Sequence, residues 1–315
     1  MPALPSRLPF VKMNGLGNDF LVVDLRKHPD WELVLAQPLL VRRICDRHRG
    51  VGSDGILAVG PAQSAASVAA MRVHNADGSI AEMCGNGLRC VARYLFEQDE
   101  KRFSQLDPPS LTVDTGAGAL LCQFVLSLDG VVQQVEIEMG QPKLLSPAPA
   151  SLSVGKSELS LTLVSMGNPH AVAFCDPALT YSQLLAQATE QGPLVEIHPL
   201  FPQRTNVEFV NVQGGAAHLD VVVWERGCGV TQACGTGACA AVVAACLRGL
   251  VPLKTPCTVR LPGGLLTVMT PVAADYTSGS HAREAETVFC GEVITSLIDN
   301  GLRWCHSVMV QHIRR

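Results

Sequence analysis

The sequence predicts an α+β protein with two pseudo-symmetric domains, each a mixed β-sheet wrapped around a central helix. Three observations lead to this fold class. Six segments show the apolar patterns of strands, two helices are predicted directly after a Cys-Gly-x-Gly motif, and the same order of motifs occurs twice along the chain. Two copies of one unit usually pack about a pseudo-twofold axis, so we expect the two helix starts to face each other.

Strands dominate the predicted secondary structure. The segments either alternate apolar and polar residues or run apolar, and they are rich in β-branched side chains, as strands are. They are FLVVD (20–24), VAAMRVH (68–74), VEIEM (135–139), HAVAFC (170–175), NVEFVNV (206–212) and LDVVVW (219–224).

Both predicted helices begin at a cysteine that is followed by glycines. After CGNG (84–87) the apolar residues recur at i, i+3, i+4, i+7 and i+8, which is one stripe of a helix: Leu88, Val91, Ala92, Leu95 and Phe96. After CGTG (234–237) the helix from about Gly235 to Leu247 is apolar on every side. A helix without a polar face must be surrounded, so we expect a sheet around it.

The two halves match in order and spacing. An Asn-rich segment, MNGLGNDF (13–20) or MGNPHAVAF (166–174), precedes each cysteine motif, and the two cysteines are 150 positions apart (234 − 84 = 150). A hairpin-like turn at Asp129 and Gly130 is the predicted boundary. The expected domains are 1–129 and 130–285, with 286–315 as a C-terminal segment that could return to the N-terminal domain. No role is assigned to the stretch from Ala273 to Glu286 or to the tail after Glu292.

Composition excludes several classes of partner. The chain of 315 residues has a formal net charge of -4 and 47% hydrophobic residues, so it has a large core but no basic face for a nucleic acid or an anionic membrane. Its longest apolar run, Ala238–Leu247, is far shorter than the roughly 18 to 20 residues that span a bilayer. The N-terminus lacks an apolar signal region. We therefore expect a cytoplasmic protein with a small-molecule partner.

The cysteines indicate neither disulfides nor a metal site. The chain has 12 of them, but disulfide frameworks belong to small secreted domains, and no C-x-x-C pair is present for zinc. Most are expected to be buried thiols. Cys84 and Cys234 differ because each precedes a Gly-x-Gly helix start, where backbone N–H groups can approach an anion. Holding a thiol as thiolate at pH 7 costs about 2 kcal/mol, which such a setting can supply.

Two thiols in equivalent settings match one kind of reaction. Two bases on opposite faces of one carbon, with donors for a carboxylate between them, could invert a stereocentre by proton removal and return. A nucleotide-binding nest is disfavoured, because neither glycine cluster has the full G-x-G-x-x-G or G-x-x-x-x-G-K-S/T pattern. On pattern alone, His170 could be a core histidine, and Glu225 with Arg226 could be a surface ion pair. A non-catalytic small-molecule binder also remains open.

The motifs resemble those of the diaminopimelate epimerase family, a cofactor-independent enzyme family of lysine and peptidoglycan precursor synthesis. The matching stretches run in order from residue 13 to about 240: MNGLGNDF, DRHRGVGSDGIL, NADGSIAEMCGNGLRC, MGNPH, RTNVEFV and ERGCGVTQACGTGACA. The related proline and hydroxyproline racemases have a His after the first Cys-Gly and an Asp-Arg-x-x-Cys-Gly-Thr-Gly second motif. This chain has Asn86 at the first place and ERGCGVTQACGTG at the second, which favours the epimerase family. The proline and hydroxyproline racemases remain the alternative.

The resemblance implies specific roles. Each domain would be a β-barrel-like sheet around a central helix, and Cys84 and Cys234 would be the acid/base thiols, with His170 and Glu225 as the partners that tune them. The implied substrate-binding residues, which contact the reacting end or the distal amino-acid end of diaminopimelate, are Asn14, Asn75, Gly85, Asn86, Asn168, Asn206, Glu225, Arg226, Gly235 and Thr236. No cofactor or metal is implied, and a homodimer is an open alternative to a monomer. Gly55 departs from the pattern, since some members have a Gln there that contacts substrate.

Overall fold

The computed structural model describes residues 7–146, 148–155, 157–213, 217–270, 280–283 and 286–294, the last two ranges by backbone alone. The described residues form two compact units. Unit 1 is the chain up to Val135 together with residues 286–294, and unit 2 runs from Glu136 to Arg283.

The elements are numbered in chain order. The first part of the chain contains β1 (Arg7–Gly15), β2 (Asn18–Asp24), α1 (Trp31–Leu35), α2 (Pro38–Cys45), β3 (Gly55–Gly60), β4 (Ala69–Asn75), β5 (Ile80–Ala81), α3 (Gly85–Gln98), α4 (Glu100–Phe103), β6 (Ser110–Thr115), β7 (Gly118–Leu126) and β8 (Val132–Glu138). The second part contains β9 (Lys143–Leu144), β10 (Ala150–Val154), β11 (Ser157–Ser165), β12 (Pro169–Phe174), α5 (Tyr181–Glu196), β13 (Asn206–Val212), β14 (His218–Glu225), β15 (Gly229–Val230), α6 (Gly235–Leu247), β16 (Cys257–Leu261), β17 (Gly264–Met269), β18 (Ser280–Arg283) and β19 (Glu286–Ile294).

Unit 1 has a mixed sheet with the strand order β19-β1-β2-β3-β4-β6-β7. The β2–β3 and β4–β6 pairs are parallel, and the other pairs are antiparallel. The short β5 forms an antiparallel pair with β4, just before α3. Parallel neighbours need a crossover connection, and α1 with α2 and then α3 provide the two crossovers.

Unit 2 repeats this arrangement with the strand order β10-β11-β12-β13-β14-β16-β17-β18. The β12–β13 and β14–β16 pairs are parallel, and β15 pairs with β14 as β5 does with β4. The crossovers contain α5 and then α6. The predicted fold class of two similar units, each built around a helix that follows a cysteine motif, is confirmed.

The central strands of each sheet are buried on both faces. In β3, Ile56 and Ala58 belong to the core cluster beneath α1 and α2, whereas the intervening Leu57 lies against α3. In β13, Val207 and Phe209 pack with α5, whereas the intervening Glu208 lies against α6. Because side chains alternate across a strand, one face of each sheet holds the helix that begins at the cysteine. The other face is covered by the remaining helices.

The two central helices are buried within their own units. Every residue of α6 from Gly235 to Ala245 is buried, which confirms the prediction that this apolar helix is surrounded. It packs against β11, β12, β13, β14 and β17. In α3 the first eight residues are buried, Arg89 completely, and the helix packs against strands β1 to β4. The start of each helix is therefore fixed by the strands of its unit. Among the described residues no helix has the length and apolarity that crossing a bilayer requires.

Candidate active site

Cys84 and Cys234 occupy the same position in their units, the N-cap of the central helix. Both have extended backbone angles (φ -142°, ψ 111° and φ -122°, ψ 109°), and each sulfur accepts a hydrogen bond of 3.4 Å from the backbone N–H three residues later, that of Gly87 or Gly237. A thiolate here would receive backbone donors and face the positive end of the helix dipole. The two thiols therefore share the same backbone donor and the same position at a helix N-terminus.

The second glycine of each motif is required by close packing. A Cβ atom on Gly87 would lie 2.7 Å from Cδ2 of Leu57, and one on Gly237 would lie 2.9 Å from Oε1 of Glu208. Real Cβ atoms essentially never come that close to another heavy atom. Strand β3 or β13 thus passes directly beneath the helix start, and the side chain that it presents there differs between the units.

Burial and neighbouring carboxylates raise the pKa of Cys234 and so favour its protonated form. Its side chain is 7% exposed, and burial, followed by the negative charge of Glu225, raises the thiol pKa well above its usual value. The hydroxyl of Thr236, 3.4 Å from the sulfur, acts in the opposite direction and lowers the pKa. Burial also raises the pKa of the Glu225 carboxyl, although the Thr231 hydroxyl donates to it. Cys234 is therefore poised as a proton donor.

His170 is completely buried, and both of its ring nitrogens have partners. Nδ1 lies 2.7 Å from Oε1 of Glu208, and Nε2 lies 2.9 Å from Oδ1 of Asn168. Asn168 in turn donates from Nδ2 to the hydroxyl of Thr236 over 3.4 Å. His170 and Asn168, both predicted site residues, thus join the start of α6 through a network of hydrogen bonds.

Glu208 belongs to this network but is not among the predicted site residues. It is 0% exposed, and burial raises its pKa in spite of the charge of His170. Within the part of the chain that the structure describes, its Oε2 has no hydrogen-bond partner. The sequence signal was a single acidic residue flanked by the apolar residues Val207, Phe209 and Val210, since carboxylates are almost never buried without a partner.

Asn206, the first residue of β13, and Arg226, which follows the last residue of β14, are brought together. Asn206 donates from Nδ2 to the backbone oxygen of Pro169 (2.9 Å) and accepts from the backbone N–H of Arg226 (3.0 Å). The guanidinium of Arg226 contacts the backbone oxygen of Gln203 at 3.3 Å. Asn206 thus holds the turn that follows Glu225 in place.

A second residue outside the predicted set holds the turn that contains Arg226. Glu196, at the end of α5 and 6% exposed, accepts hydrogen bonds from Nε1 of Trp224 (2.8 Å) and from the backbone N–H of Gly227 (3.0 Å). Trp224 packs so closely on α5 that a Cβ on Gly192 would lie 2.5 Å from the indole. Glu225 and Arg226 are therefore carried by a turn that is fixed at both ends.

The predicted asparagines of unit 1 make hydrogen bonds to nearby residues. Asn14 accepts from the backbone N–H of Gly17 (3.1 Å), and Asn75 donates to the hydroxyl of Ser79 (3.0 Å). Asn86 is buried, and its Oδ1 accepts from Arg89 at 2.6 Å. The asparagines are thus oriented by local hydrogen bonds within unit 1.

Gly55 has no room for a side chain. A Cβ at this position would lie 2.6 Å from the backbone oxygen of His74 on the neighbouring strand. A Gln at this site would therefore require β3 and β4 to move apart, and the glycine is explained by strand packing.

The register of the strands shows which site residues of the two units occupy equivalent positions. In unit 1, Phe20 lies beside Gly55, and Gly55 lies opposite Asn75. In unit 2, His170 lies beside Asn206 in the same way. Glu225 stands nine residues before Cys234, as Asn75 stands nine before Cys84 (234 − 225 = 9; 84 − 75 = 9). His170 and Glu225 of unit 2 therefore stand at positions where unit 1 has Phe20 and Asn75.

Among the residues that the structure describes, no three His, Cys, Asp or Glu side chains are grouped so as to hold a metal ion. The chemistry that the described groups offer is acid–base chemistry. It comprises a capped thiol in each unit, backbone donors beside it and, in unit 2, carboxylates and an imidazole.

Comparisons with known proteins agree with this arrangement. The family model described as diaminopimelate epimerase matches residues 10–145 and 162–280. A diaminopimelate epimerase of Synechocystis sp. is 42% identical over 274 residues, and one of Desulfitobacterium hafniense is 43% identical over 274 residues; each alignment covers 83% of this chain and 90% of the relative. A crystal structure of a hydroxyproline epimerase from Agrobacterium vitis is similar in fold alone, with a TM-score of 0.69, 18% identity and coverage of 91% of this chain and 92% of that one. The chain belongs to the diaminopimelate epimerase family.

Proposed function

We propose that this protein interconverts LL- and meso-diaminopimelate, in lysine and peptidoglycan precursor biosynthesis, without a cofactor. Cys84 and Cys234 would each remove or return the proton at one face of the same carbon. The observation that carries this proposal is that two copies of one unit each place a cysteine at the N-cap of a buried helix. Membership of the family supports the choice of substrate.

The states of the two thiols must differ before reaction, because one removes a proton while the other donates one. Burial and Glu225 favour the protonated state of Cys234, which suits it to the donor role in the free enzyme. When the reaction runs in the opposite direction, the same thiol must give up its proton. His170 and Glu225 are then the groups that would adjust its charge.

The substrate would be held at both of its ends. Backbone N–H groups at Gly85, Asn86, Gly235 and Thr236 would bind the carboxylate next to the reacting carbon, as helix N-termini bind anions. The distal ammonium and carboxylate need amide oxygens, amide donors and one cation. Asn14, Asn75, Asn168, Asn206 and Arg226 would meet that need.

We also propose that the protein acts in the cytoplasm on this small molecule alone, with no nucleic acid or membrane as a partner. The net charge of -4 supports this, since it provides no basic surface for either polyanion. A homodimer is the assembly to test first, by sedimentation of the purified protein.

Substrate choice tests the proposal against the proline-type alternative. Proline lacks a distal charged group, so a site built around Arg226 would leave that guanidinium without its carboxylate and reject proline. Arg226→Lys should lower kcat/KM for diaminopimelate by about 100-fold, because an ammonium cannot form two parallel hydrogen bonds. Rates with diaminopimelate, proline and hydroxyproline are compared by chiral chromatography. Appreciable racemisation of free proline would refute the epimerase assignment.

A further inference from the structure

Four hydrogen bonds connect the buried carboxyl group of Glu208 to the sulfur of Cys234. Oε1 of Glu208 lies 2.7 Å from Nδ1 of His170, and Nε2 of His170 lies 2.9 Å from Oδ1 of Asn168. Nδ2 of Asn168 lies 3.4 Å from Oγ1 of Thr236, which lies 3.4 Å from the sulfur. The carboxyl and the thiol are thus the two ends of one chain of polar contacts.

The donors and acceptors give this chain a direction. Asn168 donates from Nδ2 to the Thr236 oxygen, so its Oδ1 must accept from His170, whose Nε2 therefore carries a hydrogen. The other nitrogen, Nδ1, faces Glu208, which can accept from Nδ1–H as a carboxylate or donate to a bare Nδ1 as a carboxylic acid. In the first state the ring carries both hydrogens and is an imidazolium; in the second it is neutral with its one hydrogen on Nε2.

The consequence appears at the thiol. The Thr236 oxygen accepts from Asn168, and its hydroxyl hydrogen is free to be donated to the sulfur of Cys234, 3.4 Å away, when that sulfur is a thiolate. A hydrogen bond donated to a thiolate stabilises it, and the Thr236 contact lowers the pKa of Cys234. If the imidazole were turned into the other tautomer, Asn168 would have to reverse its amide and the Thr236 hydrogen would be drawn away from the sulfur.

Unit 1 provides the internal comparison. Leu57 occupies beneath α3 the place that Glu208 occupies beneath α6, since each lies against the second glycine of its motif. The strand position of His170 is taken in unit 1 by Phe20. An apolar side chain thus fits under a Cys-Gly-x-Gly helix start, and packing does not require an acid there.

Glu208 is also a poor choice for stability. It is fully buried, and its Oε2 has no hydrogen-bond partner within the described part of the chain. Burying a carboxyl oxygen without a partner costs free energy, and a buried ion pair contributes little net stability compared with apolar packing. A role in the chemistry of the neighbouring thiol accounts for the residue better than a role in folding.

We propose that Glu208 is a positioning residue that acts on the reactive thiol of Cys234 through His170. By fixing the imidazole with its proton on Nε2, it keeps the Thr236 hydroxyl hydrogen directed at the sulfur. This inference rests on the proposed function in one respect, that Cys234 exchanges a proton with substrate. The geometry of the chain itself does not depend on it.

A double-mutant cycle distinguishes an effect passed along these hydrogen bonds from the direct electrostatic effect of Glu208 on Cys234. Among the described residues, Glu225 on β14 also acts on the Cys234 thiol through its charge, and both Glu225 and His170 stay in place in these variants. The variants are Glu208→Leu, which copies unit 1, Thr236→Val and the double variant. For each protein the rate of alkylation of Cys234 by iodoacetamide is measured against pH, with the labelled peptide identified by mass spectrometry.

The expected result is coupling between the two positions. With Thr236 present, loss of Glu208 removes its charge and also the constraint that orients the hydrogen bonds from His170 to Thr236. In the Thr236→Val background only the loss of charge can affect Cys234. The two shifts of the alkylation midpoint should differ by about half a pH unit or more, a threefold change in thiolate fraction. Equal shifts in both backgrounds would overturn the proposal. Asp220→Asn serves as the control, because Asp220 is a buried, ion-paired acid at the far end of β14 and should show no coupling to Thr236.

A measurement on the native protein covers the case in which a variant fails to fold. Nitrogen chemical shifts of ¹⁵N-labelled histidine, with His170 assigned from a His170→Asn sample, report which ring nitrogen carries hydrogen. A protonated Nε2 is expected, and a bare Nε2 with hydrogen on Nδ1 would refute the chain. Neither readout requires turnover. An inactive protein could therefore still have these hydrogen bonds and an active enzyme could lack them, so the two proposals can fail separately.

Discussion

Glu196→Gln should loosen the turn that carries Glu225 and Arg226. The native carboxylate accepts from the Trp224 indole with one oxygen and from the Gly227 backbone N–H with the other, at 2.8 and 3.0 Å. Gln has the same shape but replaces one oxygen with an NH₂ group. One of the two donors must then face another donor, whichever way the amide turns.

The magnitude follows from those contacts. A hydrogen bond to a charged group contributes about 1.5–3 kcal/mol, and Glu196 is only 6% exposed, so water replaces it poorly. We expect a loss of about 2 kcal/mol, which with a urea slope of about 2 kcal/mol/M lowers the unfolding midpoint by about 1 M. Because the same turn carries Arg226, kcat/KM for diaminopimelate should fall by about tenfold, with most of the change in KM.

The assay is urea unfolding followed by tryptophan fluorescence, together with initial rates at several substrate concentrations. The matched control is Glu190→Gln, an exposed position on the same helix α5, for which a change within about 0.5 kcal/mol is expected. If Glu196→Gln unfolds at the same urea concentration as Glu190→Gln, Glu196 does not hold the turn, and the account of how Arg226 is positioned is wrong.

Two further substitutions test the helix start and the charge network of unit 1. Gly237→Ala should cost about 1–3 kcal/mol and lower activity, because the new Cβ would meet the Glu208 carboxyl at 2.9 Å. Gly60→Ala, whose new Cβ would lie 3.9 Å from the backbone oxygen of Ala70, should be nearly neutral in thermal unfolding. Burial raises the pKa of Asp19, but hydrogen bonds and charges from Arg47 and Lys12 outweigh it and bring the value from 3.8 to about 2. A depressed carboxyl pKa stabilises the fold above the unfolded value and loses that effect as pH falls through the folded value, so Asp19→Asn should remove on the order of 2 kcal/mol at pH 6 and much less at pH 2. Equal destabilisation at both pH values would contradict this reading.

The starts of the two central helices and six of the strands could be predicted because their signals are local. The Cys-Gly-x-Gly motif, followed by an apolar stripe, placed the first helix start near Cys84, and the structure has Cys84 as the N-cap. The apolar run after Cys234 indicated a surrounded helix, and α6 is buried on all sides over its first eleven residues (245 − 235 + 1 = 11). Such patterns depend on neighbours in sequence, which the chain itself displays.

Helix α5 was not predicted, and its sequence explains why. It contains Pro193 and Gly192, both unfavourable within a helix, and its apolar residues form no strong stripe. The glycine is there because Trp224, more than thirty residues later, packs against it. A requirement set by a distant residue cannot be seen in the local pattern.

The hydrogen-bond partners of the site residues also could not be predicted from the sequence. Asn206 was predicted to contact substrate, but an asparagine that holds a backbone turn has the same sequence pattern, and the structure shows its amide bonded to Pro169 and Arg226. Glu208 was visible as an acid in an apolar strand. Its pairing with His170 depends on the parallel register of β12 and β13, which is a property of the folded sheet.

The most direct test of the central claim is isotope exchange at the α-carbon. Purified protein, without added pyridoxal phosphate or metal and with a chelator present, is incubated with LL-diaminopimelate in heavy water, and mass spectrometry follows deuterium in substrate and product. Meso product carrying one deuterium at the inverted carbon is expected, and Cys84→Ala and Cys234→Ala should each reduce its formation by more than about 100-fold, because each face needs its own thiol. Unlabelled product, or a single-thiol variant that retains more than about a hundredth of the native rate, would contradict the two-thiol account.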